Sequence, residues 1–207
     1  MHFLFLILLS LSLSSCTEPD ITDPTVMAEA KSSAIELRAL ERKFMYGMFN
    51  LYVEDGDVPF TGWVKISGLH GQLLEIGYLK DGRKEGRWMK WDENGSKFSE
   101  IDWHEDRMEG TFKVWHSSGK LKVDGQTSDG EVDGEWKEYY PDGQLASRSL
   151  NQIGHLIEVQ VWKPDGSLCE KSKVSAGKGA FYKYYSDGTI EQFRRFSQGI
   201  ETERKEY

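Results

Sequence analysis

Several things are scarce in this chain, and each scarcity excludes something. Two cysteines, Cys16 and Cys169, are all that 207 residues provide. Cys16 belongs to an N-terminal segment treated below, so Cys169 stands alone and no internal disulfide framework exists. No His or basic cluster lies near Cys169 in sequence to depress its pKa, and it reads as a strand residue and not as a nucleophile. Lys and Arg are outnumbered by Asp and Glu, 26 to 34, for a net charge of -8. Phosphate backbones call for a basic surface, so nucleic acid is not an expected partner. No apolar run reaches the roughly 20 residues that a spanning helix needs.

Catalytic and metal signatures are missing too. The five histidines, His2, His70, His104, His116 and His155, do not pair with Cys, His or carboxylates at metal-ligand spacing. His104, beside Glu105 and Asp106, reads as a solvated loop, and His116 as a strand-end surface residue. GxSxG, HExxH and P-loop patterns are absent. Gly177-Lys178-Gly179 lacks the flanking residues of a phosphate loop. Acidic turns at Asp92-Glu93-Asn94, Asp165 and Asp187 lack the alternating ligands of a calcium loop. Asp102 and Glu105 lie near each other in sequence, which does not make a catalytic dyad. The expectation is a non-catalytic protein with no metal and no cofactor.

Aromatic residues are what the chain has in plenty: 7 Trp, 9 Tyr and 10 Phe within a hydrophobic content of only 38%. That pairing suggests thin, aromatic-rich layers more than a deep aliphatic core.

Residues 1–15, MHFLFLILLSLSLSS, fit the apolar region of a secretory signal peptide, although the start carries His2 and no Lys or Arg. Leu13-Ser14-Ser15-Cys16 resembles a bacterial lipobox. That resemblance implies a mature chain beginning at a lipidated Cys16 and held in a membrane by acyl chains. Thr17, where an Asp would resemble an inner-membrane retention signal, points to the outer membrane. A plain secretory signal cut near the same place is the alternative. Residues 16–25, rich in Pro, Asp and Thr, read as an extended tether. Residues 26–59 hold a helix and a leading strand. The helix is expected from Val26 to about Arg42, capped by Thr22 or Asp23, with Pro24 in its first turn. Met45 to Val53 favours strand, and Glu54 to Asp57 a turn.

Residues 60–203 repeat. Six central glycines, Gly71, Gly95, Gly119, Gly143, Gly166 and Gly188, follow at spacings of 24, 24, 24, 23 and 22. Asn, Ser or Asp precedes five of them, as tight hairpin turns demand. Trp88, Phe112, Trp136 and Phe181 stand two residues after a unit's opening glycine, and Trp91, Trp115, Tyr139 and Tyr184 three further on. The fifth unit lacks its opening glycine, with Ile157 there, and has Val159 and Trp162. A separation of three puts two residues on opposite faces of a regular strand. Either both faces are partly covered, or a glycine-linked bulge re-phases the strand. Second turns fall at Asp81-Gly82, Asp129-Gly130 and Gln198-Gly199. The predicted fold is mainly β: an elongated antiparallel meander of six hairpins, twelve strands spanning about 55–60 Å, with one N-terminal helix. The helix can cover one edge and Glu201 to Glu206 blunt the other; residues 204–207 form the tail.

At this point the chain resembles the MORN-repeat superfamily, and most of all the bacterial MORN variant, whose units read G-x-W-x-x-[WY]-x-x-[ND]-G-x-L. Such proteins are often labelled YwqK-type antitoxins. The resemblance implies a binding or scaffolding surface. A lipid-anchored protein of the bacterial envelope with a protein partner is the expected role. Neutralising a toxin by direct binding, or holding cell-wall carbohydrate, are the alternatives. Trp63, Trp103 and Tyr140 lie off the core register and are the candidate binding residues, unless they too are buried.

Overall fold

The computed structural model describes residues 19–45, 49–54 and 57–207. One helix, α1 (Pro24–Ser33), opens the described fold, followed by β1 (Ile35–Glu36), a 3-10 turn (Leu37–Ala39), β2 (Glu41–Met45), β3 (Phe49–Glu54) and β4 (Val58–Pro59). The repeats supply β5 (Gly62–Ser67), β6 (Leu73–Lys80), β7 (Arg83–Trp91), β8 (Lys97–His104), β9 (Arg107–Trp115), β10 (Leu121–Ser128), β11 (Glu131–Tyr139) and β12 (Leu145–Gln152). They continue with β13 (His155–Val161), β14 (Lys173–Ser175), β15 (Lys178–Tyr184), β16 (Ile190–Ser197) and β17 (Ile200–Glu206).

Strands β5 to β17 pair in strict chain order, so the meander predicted from the glycine spacing is the architecture. Strand β1 adds to the free edge of β5 in parallel, and β2, β3 and β4 form a separate small sheet. Two kinds of turn alternate. At one end of the strands, the central glycines adopt positive φ, as at Gly95 (φ 85), whose N–H closes on the Asp92 carbonyl. At the other end sit two-residue turns with both residues left-handed, as in Asp129 (φ 51) and Gly130 (φ 86), the geometry that matches strand twist. Ile153-Gly154 and Ala176-Gly177 belong to this second set although their first residues are not turn formers. These turns are stitched together: the N–H groups of Asp106, Gly130 and Gly154 reach the carbonyls of Lys84, Met108 and Val132, each just past the turn before.

The two-faced explanation of the three-residue aromatic spacing holds, and the glycine-linked bulges fall ahead of both aromatics of a unit. The register shifts opposite Gly86, Gly110 and Gly134, which are bulges. Trp88 and Trp91 nevertheless serve two different cores. Trp88 packs with Leu37, Leu40, Val64 and Leu79. Trp91 packs against Ile21, Ala30, Trp63, Ile76 and Met89 on the opposite face.

That two-faced packing corrects the expected N-terminal segment. Asp23 caps α1, its carboxylate accepting from the N–H groups of Thr25 (2.7 Å) and Val26 (3.3 Å). The helix stops at Ser33 and does not reach Arg42, because Ala34 turns extended. The chain then pairs Ile35 with Val64 along the sheet edge and lays Leu37 and Leu40 on the other face. One straight helix could not have covered both faces. The edge is therefore covered by β1, and α1 lies on a face. Within the stretch expected to be an extended tether, Ile21 is buried in the core under α1; residues 16–18 lie outside the described residues. The leading strand is split between β2 and β3, with residues 46–48 outside the described set, as are residues 55 and 56 of the turn before β4. The charged tail is itself a strand, β17, with Arg195 and Glu203 paired across to β16. Cys169 is not in a strand but in the irregular stretch between β13 and β14.

Candidate functional site

Strand alternation carries one column of side chains along a single face of the sheet: Val64, Trp88, Phe112, Trp136, Val159 and Phe181. The register confirms the alignment, pairing Trp88 with Ile101, Ile101 with Phe112, Phe112 with Gly125, and Gly125 with Trp136. Over the first two units the chain's own 3-10 turn and small sheet cover this face, with Tyr52 and Phe60 joining Leu37 and Leu40. Over the last two units the sheet covers itself. Leu156, Val159, Val161, Cys169, Val174, Phe181 and Phe196 form one core there.

That self-covering requires curvature. Strands β11 and β15 stand four places apart in the sheet, about 19 Å if it were flat. Yet Lys183 Nζ on β15 lies 2.8 and 2.7 Å from the two oxygens of Glu138 on β11. A lysine and a glutamate cannot bridge the flat separation, so the sheet bends toward this face. The bend makes a trough. Two cavities, of about 400 and 320 Å³, lie in it and share Glu138, Ser147 and Lys183 as walls. The larger is lined by Tyr139, Tyr140, Tyr184 and Tyr185 with His116. The smaller is lined by Trp136, Leu156, Val159, Phe181 and Phe196. Between them β12 presents Ser147, Ser149 and Asn151, Asn151 donating to the Ser149 hydroxyl at 3.0 Å.

Glu138 and Lys183 were not singled out by sequence reasoning, but a signal existed. Two residues after each member of the aromatic column stand Ile66, Lys90, Val114, Glu138, Val161 and Lys183. Three of the six are β-branched and apolar. Lys90 has its own partner, Glu75, at 3.1 Å. A glutamate and a lysine two units apart in a column that tolerates valine are a departure visible in an aligned set of repeats. The opposite face is different in kind. There Glu100, Lys113, Asp124 and Lys137 are neighbours across successive strands, an alternating row of charges.

The residues expected to bind do not come together. Trp63 is buried, with its ring edge-on to Tyr78 at 5.1 Å, in the core beneath α1. Tyr140 is buried and donates its hydroxyl to the Trp162 carbonyl at 2.8 Å; burial holds its pKa up at about 12. Both are core residues: Trp63 because Ile21 and Ala30 cover the second face of the sheet, and Tyr140 because it is tied to Trp162 of the next unit. Trp103 is half-buried at the margin of the Trp88 core, with Lys84 Nζ 4.8 Å from its ring. Cys16 lies outside the described residues.

The remaining polar candidates are occupied by the fold. His104 meets the buried carboxylate of Glu85 at 2.9 Å, and the Glu105 N–H donates to the same group. His116 directly follows the end of β9 and is half-buried; its ring contacts the Tyr139 carbonyl at 2.8 Å. Asp102 takes Arg87 in a two-pronged pair (2.7 and 2.9 Å) and accepts the Thr111 N–H freed by the bulge at Gly110. Burial pushes its carboxyl pKa up, but these bonds outweigh that and hold it below the usual range. Asp165 and Asp187 each fold back on the N–H and hydroxyl two residues ahead, so their oxygens serve the turns. Around Cys169, burial raises the thiol pKa, while the Ser172 and Tyr184 hydroxyls at 3.2 and 3.1 Å bring it below the ordinary value. Sequence proximity had not shown those hydroxyls.

The pattern of the MORN repeat variant matches residues 108–129 and 132–150, so the chain carries MORN repeat variants in its most regular units. Repeats of this kind are generally protein- or membrane-binding modules. No curated protein matches the chain. Among the described residues no helix is long and apolar enough to cross a membrane.

Proposed function

We propose that this protein is a non-catalytic binding or scaffold protein of the bacterial envelope, lipid-anchored through Cys16 in the outer membrane, with a partner protein held on the concave face of its repeat sheet. The trough carries the reading. It is open and contains aromatic walls, and at its centre is an ion pair where the repeat elsewhere accommodates valine. Desolvating a charge pair is weak as a device for stability, so its presence favours a role in specificity. The alternating charges of the convex face suit solvent, and they leave the concave face as the surface to be recognised.

Two neighbouring positions on β12 test this. Ser149 lines the trough and Leu150 points to the other face. A photo-crosslinking amino acid placed at each position in cells should yield one defined protein adduct from 149 and not from 150. Equal adducts from both positions, or none from 149, would count against the concave face. Anchoring has a separate readout. Cys16→Ser should move the protein out of the membrane fraction, and unchanged fractionation would refute the lipid anchor while leaving the binding face untouched.

A further inference from the structure

The two cavities of the trough are arranged along the strands. Along one chain stretch Trp136 lines the smaller cavity, Tyr140 lines the larger, and Glu138 between them lines both. Four residues along the chain separate Trp136 from Tyr140, about 13 Å at 3.3 Å per residue. An extended segment lying parallel to β11 has the same rise. Its side chains at positions i and i+4 would enter the two cavities, and the one at i+2 would sit over the Glu138–Lys183 pair.

We infer that the trough is a binding site for an extended peptide segment with an aliphatic residue at i, an amide residue at i+2 and an aromatic hydroxyl-bearing residue at i+4. This rests on the protein-binding reading above and specifies its ligand. The cavity at the Trp136 end is walled by Leu156, Val159, Phe181 and Phe196, and takes an aliphatic side chain. The cavity at the Tyr140 end offers Tyr139, Tyr184, Tyr185 and His116, aromatic faces with polar tips that suit a tyrosine. Over the ion pair, an asparagine or glutamine both donates and accepts, answering Lys183 and Glu138 together. A lone charge there would meet one partner of its own sign. The fold supplies its own precedent for an extended occupant. On the same face, continuous with the trough through the column from Val64 to Phe181, the chain's own short strands and 3-10 turn lie over Val64, Leu79 and Trp88 and lay Leu37, Leu40, Tyr52 and Phe60 on them.

The probe is a seven-residue threonine peptide with leucine at its second, asparagine at its fourth and tyrosine at its sixth position. Its isomer has the tyrosine moved to the fifth position, which turns that side chain to the other face. Calorimetry on the mature chain should show the first binding at least tenfold tighter than the isomer. Amide and indole resonances should move at Trp136, Lys183 and Tyr185 and stay still at Lys113 and Lys137. Ser149→Trp, which fills the floor, should abolish binding. Lys183→Met, which restores the apolar character of the column, should keep the fold and the leucine and tyrosine contacts, and should lose the preference for asparagine over leucine at the centre. Equal affinity for both isomers, or no binding of either, overturns the inference. So does binding of a β-1,4-linked glucosamine oligomer in place of the peptides, which makes the trough a glycan site. If position 149 still captures a single protein in cells while the peptides fail, the binding reading stands and this ligand pattern alone falls.

Discussion

Gly77 and Gly125 hold the same place in the repeat, two units apart, and alanine at each should behave very differently. Each glycine lies beneath a tryptophan ring of the following strand. A Cβ on Gly77 would fall 2.1 Å from Trp88 Cδ2, and one on Gly125 2.1 Å from Trp136 Cε3. Neither glycine has a left-handed backbone, so the substitution tests space alone. Trp88 cannot yield. It is 2% exposed, its indole N–H donates to the Tyr78 carbonyl at 3.2 Å, and Lys84 Nζ sits 3.9 Å from its ring. Overpacking costs about 1–3 kcal/mol, and expelling the ring forfeits most of the roughly 3–5 kcal/mol attached to a buried tryptophan. Relief of glycine's chain entropy returns about 0.5–1 kcal/mol. Gly77→Ala should therefore lose about 2–4 kcal/mol. Trp136 is half-buried and borders the trough, with Phe112 on one side at 5.0 Å. It has room to swing, so Gly125→Ala should stay within about 1 kcal/mol of the parent, the strain offset by the same entropy term. Urea denaturation followed by tryptophan fluorescence reads both. At about 2–4 °C per kcal/mol for a chain of this size, thermal melts would separate the two variants clearly. Equal losses at the two sites would refute the argument that Trp88 is pinned and Trp136 is not.

Other consequences follow from single groups. Tyr140→Phe removes the donor to the Trp162 carbonyl and should cost about 1–2 kcal/mol. Because the folded Tyr140 pKa is raised to about 12, its contribution is fully present below the unfolded value near 10 and is lost as pH climbs from there toward 12; burial raises Tyr184 as well, so a phenolate absorbance titration should show two tyrosines ionising late and Tyr140→Phe should remove one of them. Asp102 has the opposite sign. Its folded pKa is depressed, so its contribution is complete above the unfolded value near 4 and fades as pH falls through the folded one. Asp102→Asn should flatten part of the acid limb of a stability–pH curve, and an unchanged limb would show that the Arg87 pair contributes nothing. Asp23→Ala removes the cap of α1 and should cost about 1 kcal/mol; hydrogen exchange of the Thr25 and Val26 amides should rise selectively.

The hairpins were legible in the sequence because turns and strands obey local rules. A glycine every 22 to 24 residues with Asn, Ser or Asp before most of them specifies a tight turn, and strands between such turns must pair with their neighbours. What was not legible depends on contacts between units. Helix propensity favoured continuing past Ser33, but Leu37 and Leu40 gain more by crossing to the other face, and tertiary burial outweighed propensity. Trp63 and Tyr140 looked free because a residue count along one strand cannot see what covers it: the α1 segment lies over Trp63, and Trp162 of the next unit takes the Tyr140 hydroxyl. The Glu138–Lys183 pair joins residues 45 apart, a distance at which no local pattern operates. Only comparison of each unit with its fellows exposes it.

The irregular units explain why the trough exists where it does. A sheet of identical repeats twists evenly and presents the same surface throughout, with no reason for one place on it to differ from another. Here the period falls from 24 to 23 and then 22. Unit five breaks where it shortens. Trp162 and Leu168 keep only an isolated bridge, β14 has three residues, and a single registered pair, Val159 with Val174, joins β13 to β14. With so little ladder to hold the strands flat, β15 can fold over toward β11. Phe181 reaches the core of unit five, and Lys183 reaches Glu138. The matched repeats, residues 108–129 and 132–150, end before the break. Regular units are thus the part of the chain that a family pattern can describe, and they build a platform. The cavity, its charge pair and its aromatic walls arise at the defect, where the sequence stops resembling itself.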